Sequence, residues 1–171
     1  DIRPVRWIEH VLEAALERAA GHGLRAELDV LDIGCGTGVA LDLLLATPSL
    51  AAGRFRLARA TGLDLDEGLL AIARTRYADD ERVAFVNGDL STAPDTGPHD
   101  LVLSSGVPFS HLTPDRLEPA LARIAQVALT GAQDTGVALL IVDVLGRYSL
   151  EWTSRWDRVR WDYRMSFFAT D

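Results

Sequence analysis

Val30-Leu31-Asp32-Ile33-Gly34-Cys35-Gly36-Thr37-Gly38-Val39 decides the fold of this chain, because an apolar strand ends in an acid and runs straight into three alternating glycines. Leu28, Val30, Leu31 and Ile33 make the short apolar run of a strand covered on both faces. Gly34, Gly36 and Gly38 carry no Cβ, so the backbone there can take positive φ and a ligand can approach it closely. A helix from about Thr37 to Leu45 then turns its unpaired N–H groups toward that ligand, which favours a carboxylate or a phosphate. Asp32 sets a fixed acceptor beside those donors. A small molecule with both an amine and a carboxylate suits the pair.

Glycine turns of this kind also serve dinucleotides. The nicotinamide pattern needs Gly-x-Gly-x-x-Gly followed by an acid about 20 positions on. Here Val39 stands where the third glycine of that pattern falls, and the next strand-end acid, Asp64, lies 26 positions beyond Gly38. The dinucleotide reading is the weaker one.

Outward from the turn, strand-like runs occur at Leu28–Ile33, Leu57–Leu63, Val83–Val86, Leu101–Ser104 and Val137–Val142. They alternate with helix-patterned segments at about Val5–Ala20, Gly38–Ala46, Asp66–Tyr77 and Pro114–Leu129. Such alternation predicts an α/β fold: a doubly wound, mostly parallel sheet with helices on both faces. Ligands of such sheets lie at the carboxyl ends of the strands. Asp32, Asp64, Asp89 and Ser104 all fall at or just beyond those ends.

With these segments in order, the stretch from Leu28 to Val144 resembles the class I S-adenosylmethionine-dependent methyltransferases of the small-molecule type. Asp32, Gly34, Gly36 and Gly38 match the acid-x-Gly-x-Gly-x-Gly first motif of that family, with Cys35 inside it. The resemblance implies a Rossmann-like methyltransferase fold and S-adenosyl-L-methionine as cofactor. It assigns Asp64, in Ala60-Thr61-Gly62-Leu63-Asp64-Leu65-Asp66, to the ribose hydroxyls, with Leu65 beside it. It assigns Asp89, in Val83-Ala84-Phe85-Val86-Asn87-Gly88-Asp89-Leu90, to the adenine amino group, with Leu90 adjoining. Ser104, closing the fourth strand, is expected beneath the methionine end.

Composition sets bounds around this. A chain of 171 residues suffices for one domain with a sizeable core, here 1–171, with 28–144 as the cofactor-binding part. Seventeen basic against 25 acidic residues, a net charge of −8, argue against broad capture of nucleic acid or of an anionic membrane surface. All the basic residues are arginine and none is lysine, a bias that suggests a GC-rich bacterial source. No apolar run reaches transmembrane length and no secretory leader pattern opens the chain, so a cytoplasmic enzyme is the expectation. The single cysteine, Cys35, excludes an internal disulfide, and no metal-ligand spacing occurs. Its placement near a helix start would favour a reactive thiol, but a small filler in a glycine loop is the favoured reading. His10 and His22 read as surface residues, His99 as a turn residue, and Asp79-Asp80-Glu81 as a solvated connection.

Methyl transfer from a sulfonium is an in-line displacement, for which alignment supplies much of the acceleration. An oxygen or carbon acceptor also needs a base. His111, in Pro108-Phe109-Ser110-His111-Leu112, matches a His-Leu pair of small-molecule methyltransferases and is the first candidate; Asp143 is the second. Ser104-Ser105-Gly106-Val107-Pro108-Phe109 stands where many amine methyltransferases carry an Asn-Pro-Pro-Tyr type of motif, which leans toward O- or C-methylation of a small molecule, with secondary metabolism the expected setting.

Beyond residue 144 the family usually continues into a β-hairpin, and no second pair of strand-like runs is visible here. Instead Tyr148, Trp152, Trp156, Val159, Tyr163 and Phe167 recur at helical spacing among five arginines. Two readings apply to this aromatic and basic segment, 145–171. It is an amphipathic helix docked on the sheet, or a lid whose Tyr148, Trp152 and Trp156 wall the substrate. An uncovered sheet edge would invite a homodimer. Two rival functions remain: a cofactor-binding domain without catalysis, and a nicotinamide-dependent oxidoreductase.

Overall fold

The computed structural model describes residues 5–89, 96–105 and 112–142. Among the described residues five strands, β1 (Glu27–Ile33), β2 (Arg56–Asp64), β3 (Val83–Asn87), β4 (Leu101–Ser104) and β5 (Leu139–Val142), form one sheet in the order β3-β2-β1-β4-β5. Every neighbouring pair is parallel. The helices are α1 (Val5–Gly21), α2 (Val39–Leu45), α3 (Pro48–Ala51), α4 (Glu67–Arg76) and α5 (Pro114–Thr135). The order reverses beside β1, so the glycine turn after β1 sits at the switch point, where such sheets hold ligands.

Strand alternation divides the core into two layers. Leu28 and Val30 of β1, with Leu101 and Leu103 of β4, face α1 and α2 through Leu12, Leu16, Leu41 and Leu44. Leu31, Ile33 and Val102 face the opposite way, onto Ala120, Ile124 and Val127 of α5. Those α5 residues recur at spacings of four and three, one stripe of a helix. Each buried leucine or isoleucine contributes roughly 1.5–3 kcal/mol.

Local chemistry sets the helix ends. The Asp66 carboxylate accepts from the amides of Gly68 and Leu69 and so caps α4. Pro48 and Pro114 occupy first-turn positions, where a missing N–H costs nothing. Two differences from the sequence reading have physical causes. Helix α5 runs on to Thr135 rather than ending near Leu129, because Gly131 lets it pass against the backbone of His99 and only Gly136, at φ 85°, turns the chain out. Strand β5 starts at Leu139 rather than Val137, because its pairing with β4 begins at Leu101↔Leu139. The short helix α3 has no apolar period of its own. Glu13 of α1 holds it in place by accepting from both the amide (3.0 Å) and the hydroxyl (2.6 Å) of Ser49.

The amino ends of β1 and β4 are joined by charge. Asp100, 1 % exposed, accepts the amide of Asp29 at 2.7 Å and meets Arg25 at 2.6 Å. His99 beside it is equally buried, Nε2 3.0 Å from Thr96 Oγ1, so it is a packed residue rather than the turn residue expected. His10 and His22 are exposed.

Candidate functional site

The site is assembled where β1 gives way to α2. After Ile33 the chain hooks over its neighbour: the amides of Gly34 and Cys35 both donate to the carbonyl of Leu63 on β2, at 2.8 and 3.1 Å. Gly34, Gly36 and Gly38 have φ of 67°, 52° and 82°, the left-handed region that side chains resist. The turn closes when the Gly38 amide donates to the Cys35 carbonyl at 2.8 Å. Gly38 is then the residue preceding α2.

Two carboxylates flank this turn. Asp64, ending β2, accepts the Gly36 amide on Oδ2 at 2.8 Å and the Asp66 amide on Oδ1 at 2.9 Å. A carboxylate has about four acceptor positions, so this one retains capacity for further donors. Asp32, ending β1, is 3 % exposed, and neither of its oxygens has a partner among the described residues. Burial, and next the charge of Asp64, push it up to about 7. A buried carboxylate with no donor costs several kcal/mol. Such an orphan marks a place where a cationic donor is accepted.

The other expected residues are placed as follows. Cys35 is buried, and burial raises its thiol well above the ordinary range, with Asp32 and Asp64 adding to the effect. It is a filler in the turn, not an acidified nucleophile. Leu65 follows Asp64 and is 63 % exposed, its carbonyl held by Asn87 Nδ2 at 3.0 Å. Asp89, just past β3, forms an ion pair with Arg116 in the first turn of α5. Ser104 is buried and its hydroxyl has no partner among the described residues, but it follows Val102 in alternation and therefore lies on the α5 face. Asp32 pairs with Leu103, continuing the opposite row. Asp32, the glycine turn and Asp64 are brought together; Ser104 is on the other side of the sheet. His111, Asp143, Leu90, Tyr148, Trp152 and Trp156 lie outside the described residues.

Several supporting residues carry no obvious signal in sequence. A Cβ at Gly62 would stand 2.6 Å from Phe85 and 2.8 Å from Cys35 Sγ, so the middle of β2 has room only for glycine. Asn87 Nδ2 and the Gly88 amide both reach the Asp64 carbonyl, at 3.3 and 3.0 Å, and stitch the end of β3 to the end of β2. Asp66 is the exception: an Asp before a helical pattern is a legible cap. No group of three or more potential metal ligands occurs among the described residues, and none of the described helices is long and apolar enough to cross a membrane.

With this geometry in view, the relationships of the chain are specific. A methyltransferase-domain family matches residues 30–131. The polyketide synthase component of lovastatin nonaketide synthase from Aspergillus terreus is 33 % identical over 112 residues, which are 62 % of this chain and 3 % of that protein. Malonyl-[acyl-carrier protein] O-methyltransferase from Acetivibrio thermocellus is 36 % identical over 81 residues, 47 % of this chain and 26 % of that protein. The chain thus spans only a small part of the length of these curated relatives. An S-adenosylmethionine-dependent methyltransferase structure from Clostridium acetobutylicum superposes with a TM-score of 0.63 at 18 % identity, over 90 % of this chain and 55 % of that one. CalS10, an amino pentose methyltransferase of calicheamicin biosynthesis from Micromonospora echinaspora, superposes with a TM-score of 0.58 at 23 % identity, over 83 % and 52 %. These structural likenesses show a shared Rossmann-like methyltransferase fold. The family match spans more than half of the chain, including the glycine turn and both flanking acids, and the chain belongs to the S-adenosylmethionine-dependent methyltransferase domains.

Proposed function

We propose that this domain seats S-adenosyl-L-methionine across the glycine turn and directs its methyl group to oxygen or carbon of a small-molecule acceptor. The observation that carries the reading is the pairing of Asp32 with Asp64 on either side of the turn, the first buried with both oxygens unpartnered, the second holding the turn by the Gly36 amide. Asp32 would accept the ammonium of the methionine end, which gives a donor to a carboxylate that has none among the described residues. Asp64 would use its remaining acceptor capacity for the ribose hydroxyls, and Asp89, with Leu65 and Leu90 alongside, would face the adenine. The bound cofactor supplies an electrophilic methyl carbon. Alignment of the acceptor with that carbon is then the main task of the protein.

On sequence grounds His111 and Asp143 are the candidates for a base that takes the acceptor's proton, and Tyr148, Trp152 and Trp156 for a wall along the acceptor. A relative named as an O-methyltransferase supports oxygen as the atom methylated. Relatives named for lovastatin and calicheamicin support a role in secondary metabolism, and the arginine-only basic set fits a GC-rich bacterial source.

The test is calorimetric titration of the chain with S-adenosylmethionine, S-adenosylhomocysteine and NADH, repeated on Asp64→Ala. Selective binding of the two sulfur nucleotides, lost in the variant, is the expected result. Binding of NADH alone would overturn the reading. Binding of the sulfur nucleotides with no transfer to any acceptor in a subsequent screen would favour a non-catalytic domain.

A further inference from the structure

The glycine turn is supported from one side by a group of residues that neither the family motif nor the reaction assigns. Tyr77 follows the last turn of α4, and its ring lies against Gly38: a Cβ there would stand 2.9 Å from the ring. The Phe85 ring of β3 packs on Tyr77, with centroids 5.7 Å apart and planes tilted by 45°. Phe85 also reaches the space beside both Gly38 and Gly62. The two aromatics form a floor under the turn.

Hydrogen bonds fix that floor in place. The Tyr77 hydroxyl lies 3.2 Å from the Gly38 carbonyl and is bonded to the Asp42 carboxylate of α2. The Asp42 carboxylate takes Arg76 on its other oxygen at 2.8 Å. Its amide in turn donates to the Gly38 carbonyl at 3.3 Å. The end of α4 and the start of α2 are thus tied through one phenol and one carboxylate, and the tie closes on the glycine with the largest positive φ in the turn. Burial and the Asp42 carboxylate both raise the phenol, so it stays protonated and able to donate.

We propose that Tyr77, seated on Phe85 and tied to Asp42, is a positioning residue that holds Gly38 in its left-handed conformation and so keeps the turn shaped to receive the cofactor. This rests on the reading of the turn as the cofactor seat. It also assigns a purpose to the glycines from outside the motif: at Gly38 the ring, as well as φ, excludes a side chain, whereas at Gly36 nothing among the described residues stands within 4 Å of a Cβ.

The test compares wild type, Tyr77→Phe, and Val127→Ala, the last a control that loosens the α5 core on the other face. Two quantities are read: the exchange rates of the Gly36 and Gly38 amides by NMR without nucleotide, and the calorimetric Kd for S-adenosylhomocysteine. Loss of one such hydrogen bond predicts exchange and Kd both rising roughly 5- to 10-fold in Tyr77→Phe. Val127→Ala, at a comparable loss of Tm, should leave the Kd and the relative protection of these two amides unchanged. A wild type that binds the nucleotide while Tyr77→Phe matches it in either quantity overturns the proposal, as does an equal change in the control. If wild type binds no sulfur nucleotide, the cofactor reading fails instead, and exchange alone then decides whether Tyr77 braces the turn.

Discussion

The Gly36 amide donates to Asp64 Oδ2 at 2.8 Å, so the acid at the end of one central strand holds the glycine turn that leaves its neighbour. The same carboxylate accepts the Asp66 amide at 2.9 Å, which shapes the approach to α4. Asp64 therefore has a structural task besides any contact with a ligand. Asp64→Ala strands two amides and is expected to lose about 2 kcal/mol in urea unfolding, together with at least tenfold in affinity for S-adenosylhomocysteine. Asp64→Asn keeps one oxygen acceptor and should fall between. Unchanged stability in the alanine variant would show that the two hydrogen bonds carry no net weight.

Asp32 ties stability to pH. Its folded value of about 7 lies above the ordinary 3.8, so between those values the folded chain holds a proton that the unfolded chain has released. Stability from this group is complete below the unfolded value and is lost as pH rises through about 7. At about 1.4 kcal/mol per tenfold change in proton affinity, the ceiling is on the order of 4 kcal/mol. Asp32→Asn removes the titration. Urea midpoints at pH 4, 5.5 and 7.5 should show the variant gaining on wild type as pH rises, and parallel profiles would refute the buried orphan.

Three glycines should rank by what a methyl group meets. At Gly131 a Cβ would lie 1.9 Å from the His99 carbonyl oxygen, which is buried backbone just ahead of β4 and has little room to give way. Gly131→Ala is expected to cost more than about 3 kcal/mol. At Gly62 the obstacles are the side chains of Phe85 and Cys35, so Gly62→Ala should cost about 2–3 kcal/mol. At Gly36 no described residue stands within 4 Å of a Cβ but φ is 52°, and Gly36→Ala should cost roughly 1–2 kcal/mol. Chemical denaturation of the three variants checks the order.

Arg25→Ala removes the ion pair at 2.6 Å from Asp100, which stays buried against the Asp29 amide. Arg25 is itself 44 % exposed, which screens the pair. The expected loss is about 2 kcal/mol, below the 3–5 kcal/mol of a fully buried pair. Nucleotide affinity should not change, because this cluster lies at the amino ends of the strands. A weakened Kd at equal Tm would contradict that separation.

Much of the fold follows from short-range pattern. Apolar runs at β1 and β2 and the helical stripe at α5 are local, and each is legible because burial selects residues at periods of 2 or 3.6. The acid and three glycines at 32–38 declare a strand-to-helix turn by their own conformational needs, and Asp66 declares its helix by capping it. From these the parallel sheet and the switch point could be read from the chain alone, while the cofactor class came from the resemblance of the ordered motifs to a methyltransferase family.

What the tertiary structure decided is which side chains meet. Gly62 carries an ordinary φ, and only the arrival of Phe85 from β3 shows why nothing larger fits there. Tyr77 is 39 residues from Gly38, and no period links them. Ser104 ends its strand beside Asp32's yet points to the opposite layer, because the register pairs Asp32 with Leu103. Cys35 adjoins a helix start, but burial beside two carboxylates raises its thiol where position alone argued for lowering it. Conformational preference is a property of each residue and its near neighbours, so sequence carries it. Contact, burial and field are set by segments far apart in the chain, and only their packing could settle them.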